Sequence, residues 1–273
     1  MIIQKDFKRQ WGMIRISQAV IVSLLRSKFC TLMEVYLNRI DPTFQVTVRT
    51  SAEEGLQYLA ENEVDCILSD YEMPEIDGLD LLETVRTQGY DLPFILVTGR
   101  GSEEIASEAI SAGVSDYIQK SAAGEQYELL ANRIRNLVQK YRTDQQIQRV
   151  YEAIEIVDEG ISLIDVNGEF VYVNKRYADI LGYTPNELIG KHWSILYRDE
   201  AETSTLKEQI SPDIPGSESS DYWTGQTVKQ RNDGTRVRTD HRLAYTSDEI
   251  MVCLLSNPTE VDTDYEGPVV EMV

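Results

Sequence analysis

From residue 43 to residue 142 the chain alternates short apolar runs with stretches whose apolar residues recur every three or four positions. The runs are "FQVTVRT", "VDCILSD", "LPFILVT" and "SDYIQK"; between them lie "SAEEGLQYLAEN", "GLDLLETVRTQG", "SEEIASEAISAG" and a long helical stretch from about Glu125. Strands and helices in alternation predict a parallel sheet with helices on both faces. One more buried strand and helix are read in "AVIVSLLRSKFCTLMEVYLNRI", which makes five βα units and a whole doubly wound α/β domain with a five-stranded sheet. Ser51 with Glu54 has the form of a capping box at a helix start, and Gly89 and Gly113 stand where helices should stop.

The pattern changes after residue 150. "GISLIDVNGEFVYVN" is two β-runs joined at Asn-Gly, a strong hairpin signal. A mostly helical stretch, "KRYADILGYTPNELIGKHWSIL", is followed by three more strand-like runs, the first two joined at Asn232-Asp233-Gly234. A five-stranded antiparallel sheet with helices on one side, an α+β cup, is the expectation. Between the two patterns apolar residues keep helical spacing through Leu130, Ile134, Leu137, Tyr141, Ile147, Tyr151 and Ile154. This reads as a connecting, dimer-forming helix, or as the last helix of the first domain followed by a polar linker near "RTDQQ". The expected divisions are a basic segment at 1–18, a first domain at 19–124, a connecting helix at 125–150, a second domain at 151–262 and an acidic tail without structure at 263–273.

Composition narrows the function. With 26 Lys+Arg against 46 Asp+Glu, the chain is unsuited to nucleic acid or anionic lipid. Acids spread over every segment, with lysine scarcer than arginine, suit a protein kept soluble in high salt and a halophilic source. Cys30, Cys66 and Cys253 share no metal-ligand spacing and read as free thiols in a reducing cytoplasm. The run "AVIVSLL" is too short to span a bilayer, so a cytoplasmic protein is expected. The first thirty residues differ from the rest: they hold six basic residues and one acid, Asp6, leaving 20 basic against 45 acidic in the other 243.

The chemistry centres on "ILSDYEMPEIDG", an apolar run ending on a single acid. A carboxylate at a buried strand tip costs desolvation unless its charge is used. Asp70, Thr98 and Lys120 each end a predicted strand, and doubly wound sheets carry their sites at those ends. An acid, a hydroxyl and an ammonium on one rim suit a covalent phosphoryl acceptor.

Residues 43–142 resemble a response-regulator receiver domain, with "LSDYEMPEIDG" as the phosphoacceptor loop, "ILVTG" as the threonine strand and "DYIQK" as the strand of the aromatic switch and lysine. The resemblance implies a flavodoxin-like fold. It implies that Asp70 takes a phosphoryl group from a histidine kinase, that Thr98 and Lys120 contact the phosphoryl group, that Thr98 and Tyr117 then reorient, and that Pro74 and Gly78 shape the loop. Receivers also hold Mg²⁺ with an acid pair at the end of their first strand. Here the register puts Leu24 and Leu25 in those places, leaving Asp70 and the Glu72 backbone carbonyl as metal ligands, a weak site or none. Two explanations stand side by side: a degenerate receiver that signals without metal-dependent phosphorylation, or a first thirty residues that are not the native start of the domain.

Residues 151–260 resemble a PAS domain in "VNKRYADILGYTPNELIGKHW", "WTGQTVKQRNDGTRV" and the closing "NPTE", where Asn257 stands in place of a common aspartate. That implies sensing and dimerisation. His192 and His241 have no partner at ligand spacing, Cys253 falls in an inner strand, and Trp193 and Trp223 read as core, so no PAS cofactor is expected and its ligand is not legible. The chain is therefore expected to be a two-component signalling protein, not an enzyme beyond phosphoacceptor and self-dephosphorylation chemistry. Its partners are a histidine kinase, an unspecified downstream protein and a second copy of itself. The alternatives are a pseudo-receiver interaction module that is never phosphorylated, and a remnant of a hybrid kinase truncated after the PAS domain.

Overall fold

The computed structural model describes residues 19–24, 28–73, 76–99, 103–120, 125–210, 222–262, 265 and 267–272. The basic segment at 1–18, Leu25 and Pro74 lie outside them. The chain forms two compact units, divided between Ile147 and Gln148.

In the first unit the strands are β1 (Ala19–Leu24), β2 (Phe44–Val48), β3 (Cys66–Asp70), β4 (Phe94–Thr98) and β5 (Asp116–Gln119). All pair in parallel, in the order β2-β1-β3-β4-β5. The helices are α1 (Lys28–Ile40), α2 (Ala52–Glu61), α3 (Gly78–Thr87), α4 (Glu103–Ala112) and the start of α5 (Glu125–Ile156). Strand alternation splits the core in two. Leu68, Ile95 and Val97 meet Met33 and Leu37 of α1 and Leu130, Ile134 and Val138 of α5. Ile67, Phe94 and Leu96 face Leu59 of α2, Leu81, Leu82 and Val85 of α3 and Ala109 of α4. Burial of β3 and β4 on both faces explains why their sequences are continuous apolar runs. At α2, Ser51 caps as expected, accepting from Glu54 N at 3.2 Å, and the Glu54 carboxylate accepts from Thr50 N at 3.0 Å.

Helix α5 departs from expectation in two respects. It runs to Ile156, not to 150. The first half of its stripe is the first unit's own core: Leu130 and Ile134 are buried there, Leu137 packs against the same cluster, and Tyr141 packs on the other. Arg133, Arg135 and Arg142 fix this half by ion pairs to Asp116 (3.0 Å), Asp41 (2.7 Å) and Asp65 (2.6 Å). Only the later positions, Ile147, Val150 and Tyr151, are exposed. The stripe open to a partner is correspondingly shorter than its sequence period suggested.

The second unit has an antiparallel sheet of six strands, not five, in the order β11-β8-β9-β10-β6-β7. These are β6 (Gly160–Ile164), β7 (Phe170–Val173), β8 (Trp223–Gln230), β9 (Arg236–Tyr245), β10 (Met251–Val261) and β11 (Val270–Met272). The short helices α6 (Lys175–Leu181) and α7 (Pro185–Leu188), a 3-10 turn at Trp193–Leu196 and helix α8 (Glu200–Ile210) complete it. Tyr177, Ile180 and Leu181 of α6 join Leu188, Leu196 and Leu206 against Phe170, Val237, Leu243 and Leu255 of the sheet. The sixth strand corrects the expectation of an unstructured tail at 263–273: β11 pairs with β8 through Val270↔Thr227 to Met272↔Gly225. Its approach is held by Arg236, which donates to the Tyr265 carbonyl at 3.1 Å and pairs with Glu202 at 2.8 Å. Valine at an alternating position, not net acidity, decides that this segment can add to a sheet edge.

Asn174 ties the unit together. Its Oδ1 accepts from Ile161 N (2.8 Å) and Tyr177 N (2.9 Å), and its Nδ2 donates to the Ile154 and Glu159 carbonyls, both at 3.0 Å. The side chain is buried with every capacity used on the two sides of the β6 turn and the α6 N-terminus. Asn174→Asp keeps the acceptors but sets an oxygen against two carbonyls. It is expected to cost this unit about 2–4 kcal/mol, read as a lowered urea midpoint of Trp223 fluorescence. An unchanged midpoint would show that the four bonds do not hold the unit.

Candidate functional site

The carboxyl ends of β3, β4 and β5 build the rim of the first unit. Asp70 ends β3 opposite Val97, and Thr98 ends β4 opposite Gln119, which places Lys120 one residue past β5. The backbone continues the alignment, with Lys120 N donating to the Thr98 carbonyl at 2.7 Å. Asp70 is 3% exposed and Thr98 is fully buried. The Lys120 ammonium reaches across and pairs directly with Asp70 Oδ2. The other carboxylate oxygen accepts from Glu72 N at 3.3 Å. Sheet order therefore brings together an acid and an ammonium fifty residues apart. Tyr117 lies half-buried on β5, packed against the α3–α4 side of the core.

The loop after Asp70 is closed tightly. Tyr71 N bonds to the Val97 carbonyl (2.8 Å) and Gly78 N to the Tyr71 carbonyl (3.0 Å). A Cβ on Gly78 would lie 2.6 Å from the Asp70 carbonyl oxygen and 2.5 Å from Leu96 Cδ1, so a side chain has no room there. Asp77 then starts α3 with a full capping box, accepting from Leu79 N and Asp80 N while Asp80 answers Asp77 N at 3.2 Å. Glycine at position 78 thus has a steric cause at a close approach.

A cation such as Mg²⁺ needs several hard oxygen ligands in near-octahedral array. β1 runs between β2 and β3, and its last residue, Leu24, stands opposite Ser69, one step before Asp70. At the strand end where a receiver needs acids, this chain carries Leu24 and then Leu25, the latter outside the described residues. With Lys120 already on Asp70 Oδ2, the remaining set of the Asp70 carboxylate and the Glu72 carbonyl does not fit the ion.

Comparison with known proteins decides the family of each half. Residues 26–135 match the response regulator receiver domain and residues 158–260 match the PAS domain. The chain is a receiver domain followed by a PAS domain. It is a two-component signalling protein. It is 26% identical over 169 residues to the response regulator SaeR of Staphylococcus aureus, covering 59% of this chain and 73% of that protein. Solved structures similar to it include a CheY-like receiver of Methanospirillum hungatei (20% identity, TM-score 0.41, 47% of this chain and 98% of that one). A receiver of Francisella response regulator 1452 is also similar (25%, 0.38, 42% and 93%). Among the described residues no helix is long and apolar enough to cross a membrane.

The PAS unit holds a second concentration of chemistry that spacing along the chain did not reveal. Lys229 of β8, 1% exposed, donates to Thr227 Oγ1 and lies 3.5 Å from His241 Nδ1 of β9. His241 Nε2 is 2.8 Å from Cys253 Sγ of β10, which is 3.8 Å from the Tyr177 hydroxyl. Burial pushes Lys229 down to about 8 and His241 well below its usual range, while it raises the Cys253 thiol. His241 is thus a neutral member of a buried network, although its spacing along the chain shows no partner. His192, by contrast, accepts from Ser194 N at 3.1 Å and caps the 3-10 turn.

Proposed function

We propose that Asp70 is the phosphoacceptor of this protein, and that Lys120 supplies the positive charge that other receivers share between lysine and metal. The direct Asp70–Lys120 pair carries this reading. An Asp70 oxygen attacks the phosphorus of a phosphohistidine on a partner kinase; the new O–P bond forms as the P–N bond breaks, and the imidazole leaves with its electron pair. The Lys120 ammonium shifts to the incoming phosphoryl oxygens, and the Thr98 hydroxyl donates to another, with Thr98 and Tyr117 as the switch. Transfer is slow, because electrostatic stabilisation is most of the catalysis available to phosphoryl transfer and one cation replaces two. The hydrocarbon at Leu24 favours a second reading, a pseudo-receiver that binds partners without accepting phosphate.

Incubation with ³²P-labelled acetyl phosphate separates the two. The expected result is label that vanishes in Asp70→Asn, falls about 10²–10³-fold in Lys120→Met, and is unaffected by EDTA. No label on the wild type, with kinase or acetyl phosphate, would establish the pseudo-receiver.

The exposed part of α5 suits a second copy of the chain. Ile147, Val150, Tyr151 and half-buried Ile154 recur at three- and four-residue steps, the spacing of a coiled-coil seam. A net charge of −20 opposes self-association until salt screens it. Light scattering is expected to give a dimer in high salt for the wild type and a monomer for Val150→Glu. Leu137 is unsuited to this test because it packs in the receiver core. A wild-type monomer at every salt concentration would leave the helix as a connector alone.

A further inference from the structure

The buried network of the PAS unit lines a cavity of about 740 Å³. Its lining runs from half-buried Asp165 and exposed Lys207 and Glu249 to buried Lys229, His241 and Cys253, so the network is reached from solvent. Volumes of this order hold small organic ligands. Between the two ends the wall is apolar and aromatic, with Trp193, Leu196, Tyr197, Leu206, Leu243 and Met251.

Lys229 is the feature that this wall does not explain. Its ammonium contacts a hydroxyl and an imidazole, and among the described residues it forms no ion pair with a carboxylate. His241 and Thr227 carry no negative charge, and Cys253 is held as the neutral thiol. Even depressed to about 8, the lysine keeps its proton at neutral pH. A buried cation facing an accessible cavity without a counter-charge is costly, and an anion entering from solvent removes that cost.

The surroundings limit which anion. One ammonium at the inner end matches a single carboxylate; a phosphate dianion would call for more cationic donors. The outer end carries two acids, Asp165 and Glu249, against one cation, Lys207, and on balance repels a second negative charge. The intervening wall favours an apolar body. We infer that the PAS cavity binds a small amphiphilic monocarboxylate, its head on Lys229 and its apolar part against Trp193 and Leu196.

That such a ligand is the signal rests on reading the PAS unit as the sensory half; its binding does not. Isothermal titration calorimetry on the full chain, with phenylacetate against phenylacetamide and hexanoate against hexanamide, reads the binding. Each acid is expected to bind one site, and its amide at least about tenfold more weakly. Lys229→Met, and Lys229→Gln should the first variant fail to fold by circular dichroism, are expected to erase the difference between acid and amide. Amides binding as well as acids, an acid preference surviving both substitutions, phenyl phosphate outcompeting phenylacetate, or no binding by either acid would each overturn the inference. Acids that bind but leave Asp70 labelling unchanged would refute the sensory reading and leave the site standing.

Discussion

A carboxylate buried at the tip of a central strand must have its charge answered by another part of the fold, and the receiver half is organised around that requirement. Asp70 sits at the end of β3, flanked by β1 and β4, where water cannot solvate it. The partner comes from β5, two strands away, because a long lysine leaving that strand end reaches back over the rim. Parallel pairing makes this possible by ending β3, β4 and β5 on the same edge. The loop closure at Gly78 and the capping box at Asp77 hold the chain leaving Asp70 close against the sheet.

Asp70 in the receiver and Lys229 in the PAS unit are both buried ionic groups, and the two are resolved differently. In the receiver the acid and the ammonium meet inside the protein. In the PAS unit Lys229 meets only neutral groups at the inner end of an open cavity. On the proposed reading, an incoming phosphoryl group would take the lysine from the internal pair, and a bound ligand would bring the missing charge to the other cation. This contrast follows from which strands carry the charges: β3 and β5 end on a shared rim, whereas β8 and β9 turn Lys229 and His241 into the cup.

Much of this was legible in the sequence because it depends on local periodicity. Alternating runs predicted the α/β half, the Asn-Gly and Asp-Gly turns predicted the PAS hairpins, and Asp70, Thr98 and Lys120 declared themselves by ending apolar runs. Spacing back from the α1 helix put Leu24 and Leu25 at the end of the first strand, and the pairing of Leu24 with Ser69 comes from the sheet itself. What escaped depends on pairing at a distance. The β11 strand is three residues whose structure comes from the β8 edge. The covered half of the α5 stripe looks in sequence like the open half, and only the arginine ion pairs and the core beneath it tell them apart. The Lys229 cluster had a signal that was not used: in "WTGQTVKQ" a period of two that turns Trp223 inward also turns Thr227 and Lys229 inward. Its meeting with His241 and Cys253, across two strand pairings, is not a property of any one segment.

The central claim, that the Asp70–Lys120 pair and not a metal balances the receiver rim, is tested most directly by a double-mutant cycle. Asp70→Asn, Lys120→Met and the double variant would be compared with the wild type by hydrogen exchange at the β3 and β4 amides, which reads the receiver without the PAS unit. The expected coupling is about 1–3 kcal/mol, the same in EDTA as in millimolar Mg²⁺. Additive effects of the two substitutions, or a coupling that disappears when Mg²⁺ is added because the ion has taken the carboxylate, would contradict it.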